Sequence, residues 1–427
     1  MDNVLMKAFE KVREKIYQRS DTNFYLSLSE GYNKNQIELK LKRIIEEIIF
    51  SEPSAVILTR QQKDIIIKTL IEDILGYGPI QILIDDNDIT EIMVAKWDLI
   101  YYEKNGKIYK SDIKFRNEEH LRNVIQKIVS PIGRRIDESC PMVDARLPDG
   151  SRVNAVIPPI AIDGACLTIR KFGKKFTRED YIKSGAIDEN ILDLLGLFVK
   201  GKLNIIIIGG TGSGKTTLLN VLSSYIPSNE RIITIEDSAE LQLNQEHVVR
   251  LETRLPNLEG KGEITIQSLL KNALRMRPDR IIIGECRGGE ALDMLQAMNT
   301  GHDGGMTTLH ANNPLDAISR LSVMVMMSGH EIPHNAIKEQ IAAAIDLIIQ
   351  TARLRDGSRK VIKISEVKGI NKEGDICIED IFNYKIQGTD EEGRIIGKLE
   401  PTGYVPTFTN KLLWYGINIP QDVFRGE

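Results

Sequence analysis

Residues 209–216 match the pattern G-x-x-x-x-G-K-[ST] at every fixed position. Glycines let the backbone curl so that several N–H groups point at one anion. Lys215 can reach the β- and γ-phosphates of a nucleotide, and the Thr216 hydroxyl can ligate Mg²⁺. An apolar, β-branched stretch precedes the loop and a helical pattern follows it, as this motif requires. The segment therefore predicts a phosphate-binding loop, with these nucleotide-binding residues: Gly210, Thr211, Gly212, Ser213, Gly214, Lys215, Thr216 and Thr217.

Carboxylates end two further stretches of strand-like sequence. Residues 280–283 lead through a glycine into Glu285, and residues 232–235 lead into Glu236. An acid in this position can orient the attacking water or Mg²⁺ beside a phosphate loop. Because Mg²⁺ dehydrates reluctantly, we expect Glu236 and Thr216 to hold it partly through water. The alternative for both acids is a turn or helix-cap residue.

A glycine-rich turn precedes the short strand that leads into His310. The shape of this segment predicts a sensor of the γ-phosphate, with Thr308 and His310 as hydrogen-bonding groups. The alternative for His310 is a satisfied packing residue. Its spacing from His302 does not suggest a zinc site.

Arginine is dense in an upstream segment, at positions 134, 135, 146, 152 and 170. Asp149-Gly150 predicts a hairpin turn between Arg146 and Arg152, and Arg170 lies at the end of a strand pattern. Arginine suits phosphate because its planar fork donates to two oxygens at once. A surface arginine is more often only solvated or weakly paired, so both interpretations stay open here.

The composition describes an ordinary globular protein. The 427 residues predict two or three domains, with 42% hydrophobic and 27% charged residues. The net charge of −4 gives no overall basic field for nucleic acid or membrane, although a local basic groove stays open. The four cysteines lie far apart, which favours reduced thiols in a cytosolic protein over a zinc site or disulfides. No signal-peptide core or membrane-spanning run is predicted.

The periodicity predicts an α/β protein in three parts. Residues 1–75 are helical, either a bundle packing on itself or a module that docks a partner. Residues 76–185 mix strands and helices and end in a linker over 173–185. Residues 186–427 alternate strands with helices, which predicts a mainly parallel sheet covered on both faces. Three strand patterns near 347–351, 361–367 and 376–384 predict an antiparallel C-terminal appendage.

Together, the motifs resemble those of the secretion ATPases of type II, type IV pilus and type IV secretion systems. The phosphate loop, residues 234–240, residues 275–287 and residues 307–312 are similar to their Walker A, Asp box, Walker B and His box. Residues 139–154 resemble the tight-adherence (Flp) pilus assembly ATPases called CpaF. No four-cysteine zinc module follows the Walker B segment, unlike in most type II secretion ATPases.

The resemblance implies a homo-hexameric ring with a PAS-like α+β domain before a RecA-like ATPase domain. It implies that nucleotide sits between these domains, where Arg146, Arg152 and Arg170 reach the phosphates. Glu285 is then the catalytic glutamate and Glu236 the Asp-box acid, with His310 completing the site. The implied activity is hydrolysis of ATP with Mg²⁺ to power a pilus or secretion machine. The implied location is cytoplasmic, at the inner face of the cell membrane, held there by inner-membrane platform proteins.

The sequence leaves three alternative functions open. A VirB11-like type IV secretion ATPase would share the chemistry but move effector or DNA–protein cargo. A nucleotide-gated scaffold would bind ATP without turnover, which requires a defective acid or missing arginines. A DNA-handling RecA-like protein requires a basic channel and aromatic platforms, and the acidic balance with 6% aromatic residues argues against it. We expect no direct nucleic-acid partner.

Overall fold

The computed structural model describes residues 3–19, 34–104, 106–172, 176–254, 256 and 261–425. The chain divides into two compact units, Met1–Lys174 and Lys175–Glu427. Helices and two separate sheets confirm the predicted α/β class. The three-part division with boundaries at residues 75 and 185 stays a prediction. Residues 173–175 of the expected linker lie outside the described residues, and residues 178–183 of it form a helix.

The first unit begins with the predicted helices. They are α1 (Asn3–Arg19), α2 (Lys34–Ser51), α3 (Pro53–Val56) and α4 (Arg60–Leu75). Their apolar faces form one buried cluster that includes Phe9, Leu41, Ile45 and Ile66. Thr59 caps α4 in a reciprocal capping box with Gln62. The helices therefore pack on one another, as the first of the two interpretations predicts.

A six-stranded antiparallel sheet completes the first unit, in the order β3-β2-β1-β6-β5-β4. The strands are β1 (Ile89–Lys96), β2 (Leu99–Lys104), β3 (Lys107–Lys110), β4 (Met142–Arg146), β5 (Arg152–Val156) and β6 (Cys166–Arg170). The helices of this part are α5 (Gln81–Asp85) and α6 (Glu118–Val129). Leu121 and Ile125 of α6 belong to the apolar core that also contains Val153 and Leu167 of the sheet. The opposite face carries mainly polar side chains, among them Asp144, Asn154 and Thr168, together with the exposed Met142.

The second unit is built on a nine-stranded sheet. Its strands are β7 (Ile205–Ile208), β8 (Ile232–Glu236), β9 (Val248–Glu252), β10 (Arg280–Ile283), β11 (Met306–Leu309), β12 (Leu347–Arg353), β13 (Arg359–Ile370), β14 (Ile376–Thr389) and β15 (Ile395–Pro401). Its helices are α7 (Arg178–Lys183), α8 (Glu189–Lys200), α9 (Lys215–Ser223), α10 (Ile266–Ala273), α11 (Glu290–Asn299), α12 (Pro314–Met326), α13 (His334–Ala344) and α14 (Thr409–Leu413). The strand order is β15-β14-β13-β12-β7-β11-β10-β8-β9.

The six strands from β12 to β9 in this order run parallel to their neighbours. All four residues of β7 are fully buried. Ile205 and Ile207 face the core formed with α8 and α9, whereas Ile206 and Ile208 face the core formed with α10 to α13. Each buried isoleucine contributes about 2 kcal/mol, which fixes β7 at the centre of the sheet. The predicted parallel sheet with two covered faces is confirmed.

The C-terminal strands extend the same sheet rather than forming a separate layer. β13, β14 and β15 pair antiparallel, as predicted for the appendage. The prediction was wrong for β12, which pairs parallel with β7 and antiparallel only with β13. The physical reason is that α12 and α13 form a helical crossover, which returns the chain in the direction of β7. β12 therefore lies directly beside the strand that leads into the phosphate loop.

No helix in the described ranges is long and apolar enough to cross a membrane.

Candidate nucleotide-binding site

The predicted phosphate loop lies between β7 and α9. Gly214 has a φ of +96° and immediately precedes the helix, a conformation that favours glycine. At Gly209, an added Cβ would lie 2.3 Å from the carbonyl oxygen of Thr351, so no larger residue fits. At Gly210 and Gly212, an added Cβ would meet no atom within 4 Å. The loop is therefore closely packed against β12 at Gly209 and open at Gly210 and Gly212.

Two hydrogen-bond donors of the loop, from Lys215 and Ser213, point toward the carbonyl oxygen of Gly210. Lys215 is 7% exposed, and its Nζ donates to the carbonyl oxygens of Gly209 at 3.1 Å and Gly210 at 3.0 Å. The N–H of Ser213 also points at the Gly210 oxygen, at 3.4 Å. Burial lowers the pKa of Lys215, while the negative charge of Glu285 opposes that shift. These donors and the N-terminus of α9 suit a phosphate group.

The structure brings Glu285 and His310 together from neighbouring strands. Glu285 follows β10 and His310 follows β11, and these strands pair in parallel. The Nε2 atom of His310 lies 3.2 Å from Oε1 of Glu285. Burial and the charge of Lys215 lower the pKa of His310, and Glu285 partly offsets them. A neutral His310 that donates from Nε2 to the Glu285 carboxylate fits this geometry.

Arg287 holds the other oxygen of Glu285. Its Nη2 donates to Oε2 of Glu285 at 2.6 Å, and its Nη1 lies 3.6 Å from Oδ2 of Asp237. Thr308, which is 1% exposed, donates its hydroxyl to the carbonyl oxygen of Gly284 at 2.8 Å. The acid-bearing loop is thus tied to both neighbouring strands. Glu285 is oriented by two side chains and by the backbone that carries it.

Glu236 is buried, at 3% exposure, at the end of β8. Its Oε2 accepts the N–H groups of Glu240 at 2.7 Å and Leu241 at 2.9 Å. Its Oε1 is also buried, without a hydrogen-bond partner in the described part of the chain. Burial raises the pKa of Glu236, and the two backbone N–H groups oppose this shift. One oxygen is thus committed to the backbone and the other is available to a ligand.

Thr216 and Glu236 are the predicted Mg²⁺ ligands, and their oxygen atoms can be compared with what Mg²⁺ requires. In the described ranges, no three or more His, Cys, Asp or Glu side chains form a metal cage. Thr216 lies partly exposed at the open mouth of the loop, and Glu236 retains its second oxygen. Mg²⁺ in such sites takes one or two protein oxygens and completes its shell with phosphate and water. The donor set fits that chemistry, and the two ligands stay a prediction.

Three predicted arginines form a row across the sheet of the first unit. Arg146 lies opposite Arg152 on the neighbouring strand, and Arg152 lies opposite Arg170 on the next. Directly opposed residues share one face of a sheet, about 5 Å apart. Glu91 of β1 lies opposite Arg170 and continues the row. The register therefore collects three positive charges along one line of the polar face.

The other two arginines of that segment have local partners. Arg134 donates from Nη1 to the carbonyl oxygen of Asp144 at 2.6 Å. Arg135 pairs with the Asp137 carboxylate two residues further on. The five arginines thus separate into a cross-strand row of three and two that contact other groups of the same segment, Arg134 at the β4 backbone and Arg135 at Asp137.

Sequence reasoning missed three residues that contact this site. Arg287 could have been noticed, because it is the last residue of the Walker B-like segment 275–287. Thr351 of β12 hydrogen-bonds to the Ser213 hydroxyl at 2.9 Å, and Arg359 of β13 donates from Nε to the Gly212 oxygen at 2.9 Å. No motif marks these two, because their place depends on how β12 and β13 pair.

The sheet order and the loop define a RecA-like P-loop α/β unit, in which the β11 strand lies between the loop strand and the acid-bearing strand β10. Comparison with known proteins then gives the family: the chain belongs to the type II/IV secretion system proteins, whose model matches residues 73–377. The recognition of this secretion family from the motifs is confirmed. The closer resemblance to CpaF stays a prediction.

Relatives match a comparable length of the chain. A Mycobacterium tuberculosis protein named for conjugal transfer is 36% identical over 310 residues, which cover 71% of this chain and 87% of that protein. The conjugal transfer protein TrbB of Rhizobium radiobacter is 32% identical, covering 70% of this chain and 90% of that protein. Among solved structures, the VirB11 ATPase of the Brucella suis type IV secretion system is 28% identical, with a TM-score of 0.38, covering 67% of this chain and 92% of that one.

Proposed function

We propose that the chain binds ATP with Mg²⁺ and hydrolyses it to ADP and phosphate, as the motor of a pilus or secretion machine. The observation that carries this proposal is the convergence of Lys215, Glu285 and His310 at one edge of the parallel sheet. These residues follow three strands that are consecutive neighbours in the sheet, β7, β10 and β11. Carboxyl ends of parallel strands meet at one edge, which is where ligands bind in open α/β sheets.

Each residue of the site has a separate role in the proposed hydrolysis. Lys215 and the loop N–H groups hold the β- and γ-phosphates and neutralise charge on them. Glu285 accepts a proton from the attacking water and so orients that water toward the γ-phosphorus. His310 and Arg287 hold the two carboxylate oxygens of Glu285 in place. Because His310 is neutral, it orients Glu285 without making a second full ion pair that would weaken the base.

Thr216 and Glu236 would hold Mg²⁺, partly through water, and the ion would supply positive charge against the β- and γ-phosphates. The available Oε1 of Glu236 supports this assignment. Arg146, Arg152 and Arg170 supply positive charge to the transferred phosphoryl group. Their alignment on one line of the sheet supports this assignment, because it concentrates three positive charges there.

The active assembly is a homo-hexamer that works through inner-membrane platform proteins at the cytoplasmic face of the membrane. Membership of the type II/IV secretion family supports this assembly and location. Within that family, we assign the chain to a tight-adherence or type IV-like pilus, on the resemblance of residues 139–154 to CpaF.

A second candidate is a VirB11-like type IV secretion ATPase that moves effector or DNA–protein cargo. The printed names of the relatives, conjugal transfer proteins and a type IV secretion ATPase, favour this alternative. The two share one chemistry and differ in cargo. Pilin-type genes beside the coding gene would support the pilus assignment, and conjugation genes there would support the second candidate.

The test is phosphate release from ATP by the purified chain over a wide range of protein concentration, with Lys215→Ala alongside. We expect specific activity to rise with concentration as subunits assemble, and to fall by at least about 100-fold in the variant. Lys200→Ala, at an exposed position on α8, is the matched control and should retain activity. Nucleotide binding without turnover at any concentration would contradict the motor and favour a nucleotide-gated scaffold.

A further inference from the structure

The strands β12 and β13 form a hairpin that contacts the phosphate loop from outside. Thr351 of β12 is buried, and its hydroxyl lies 2.9 Å from the Ser213 hydroxyl and 3.1 Å from the carbonyl oxygen of Ile208. Ser213 in turn donates its hydroxyl to the Gly210 oxygen at 2.8 Å. The base of the loop is therefore braced by the neighbouring strand.

Arg359, the first residue of β13, holds the tip of the loop. Its Nε donates to the carbonyl oxygen of Gly212 at 2.9 Å. Its Cδ would lie 3.6 Å from a Cβ placed on Gly214, so the arginine stem runs along the outer side of the loop. The two residues joined by this bond are 147 positions apart in the chain. A strand from the antiparallel part of the sheet thus reaches the phosphate-binding backbone.

This contact determines which way one peptide plane faces. In a trans peptide, the C=O of Gly212 and the N–H of Ser213 point in opposite directions. With the carbonyl turned outward to Arg359, the Ser213 N–H points across the loop toward Gly210. An anion in the loop needs N–H groups and is repelled by carbonyl oxygens. Gly212 has a φ of +69° and no side chain, so without an external contact this peptide can turn over at little cost.

We propose that Arg359 is a positioning residue for the phosphate loop, which keeps the Gly212 carbonyl outward and the Ser213 N–H directed into the loop, where nucleotide phosphates bind. This inference rests on the proposed function of the site and names a residue outside its recognised motifs. Arg359 acts through the backbone and not on the reacting atoms. Its loss therefore weakens binding of ATP and ADP alike and leaves the chemical step largely unchanged.

The experiment measures ADP binding with Mg²⁺ by titration calorimetry, and kcat and KM for ATP, in the full chain and in Arg359→Gln. We expect a Kd for ADP and a KM for ATP each about five- to tenfold higher, with kcat within about twofold, as for the loss of one typical intramolecular hydrogen bond. Arg359→Lys should restore part of the affinity, because an ammonium can still donate to the Gly212 carbonyl.

Arg355→Gln is the matched control, since it removes an exposed arginine from the turn of the same hairpin. We expect its Kd, KM and kcat to match those of the unchanged chain. Unfolding temperatures of all variants should agree, because both arginines are exposed. A fall in kcat with unchanged KM, or unchanged affinity in Arg359→Gln, would overturn the inference. Absence of ADP and ATP binding by the unchanged chain would instead overturn the proposed function.

Discussion

The two sheets of this protein assemble charged residues in different ways. At the carboxyl edge of the nine-stranded sheet, Lys215, Glu285 and His310 meet although long stretches of chain separate them. On the open face of the six-stranded sheet, Arg146, Arg152 and Arg170 come from three strands that follow one another in the chain. Parallel strands collect residues at their shared ends, whereas antiparallel strands align residues through their register.

The two arrangements also differ in their surroundings. The residues at the edge are partly or fully buried and lie beside opposite charges. Burial is the chief cause of their pKa shifts, which are downward for Lys215 and His310 and upward for Glu236. The arginine row is less buried, because Arg170 is exposed and Arg146 and Arg152 are half-buried. We infer that the residues at the edge of the nine-stranded sheet are held in place before a ligand binds. The arginine row contributes to activity mainly when phosphate is bound.

Among the three arginines of the row, we expect the largest effect on turnover from substitution of Arg170. Arg170→Ala should lower kcat by about 100-fold and change ADP affinity by less than about threefold, because an arginine acting on the transferred phosphoryl group mainly stabilises the transition state. Steady-state kinetics and ADP titration measure both quantities. Arg135→Ala, which removes an arginine paired with Asp137, is the control and should leave both unchanged. Equal losses in kcat and affinity would make Arg170 a simple binding residue.

A smaller effect is expected at His310. Removing its contact with Glu285 in His310→Gln should lower kcat by about tenfold, the value of one hydrogen bond near 1.4 kcal/mol. The acidic limb of the pH–rate profile should also change. In the unchanged chain, we expect protonation of His310 to convert its contact with Glu285 into an ion pair and to slow turnover. A variant that retains the same acidic limb would show that another group titrates there.

The stability of the protein should report the same titration. Because the pKa of His310 is lowered in the folded state, the folded chain binds fewer protons than the unfolded chain. The stability contributed by this group is complete above its unfolded pKa of about 6.5 and is lost as the pH falls below it. Unfolding temperatures measured across this range should therefore fall more steeply for the unchanged chain than for His310→Gln. Parallel curves would contradict the shift.

The smallest effect is expected from removing the middle of the row. Arg152 has an arginine opposite it on each side, so Arg152→Gln relieves repulsion while it gives up the residue's own contacts. We expect the free energy of unfolding to change by no more than about 0.5 kcal/mol, and to rise most at low salt. Urea unfolding at two salt concentrations measures this. A loss of more than about 1 kcal/mol would mean that the row is mainly structural.

The two sheets also differ in how far the sequence predicts them. The loop, Glu285 and His310 could be predicted because their residue types are fixed by phosphate chemistry and because strand ends in a parallel sheet converge. The opposition of Arg146 and Arg152 follows from the Asp149-Gly150 turn between them. The place of Arg170 in the row depends on the pairing of β5 with β6, which no local pattern specifies.

The contacts of the C-terminal strands could not be predicted for a related reason. Local periodicity indicates that residues 347–351 form a strand but not that this strand pairs with β7. That pairing brings Thr351 against Ser213 and the following strand's Arg359 against Gly212. Long-range pairing is decided by the packing of the whole sheet, whereas periodicity reports only on one element at a time.

We propose that Glu285 activates the attacking water beside a nucleotide held by the phosphate loop. The most direct measurement mixes ATP and Mg²⁺ with Glu285→Gln and with the unchanged chain, and follows bound nucleotide and released phosphate in the same samples. We expect the variant to bind ATP with near-normal affinity and to retain it unhydrolysed, with turnover at least about 1,000-fold lower. A variant that hydrolyses ATP at the rate of the unchanged chain would contradict the assignment of Glu285 as the base.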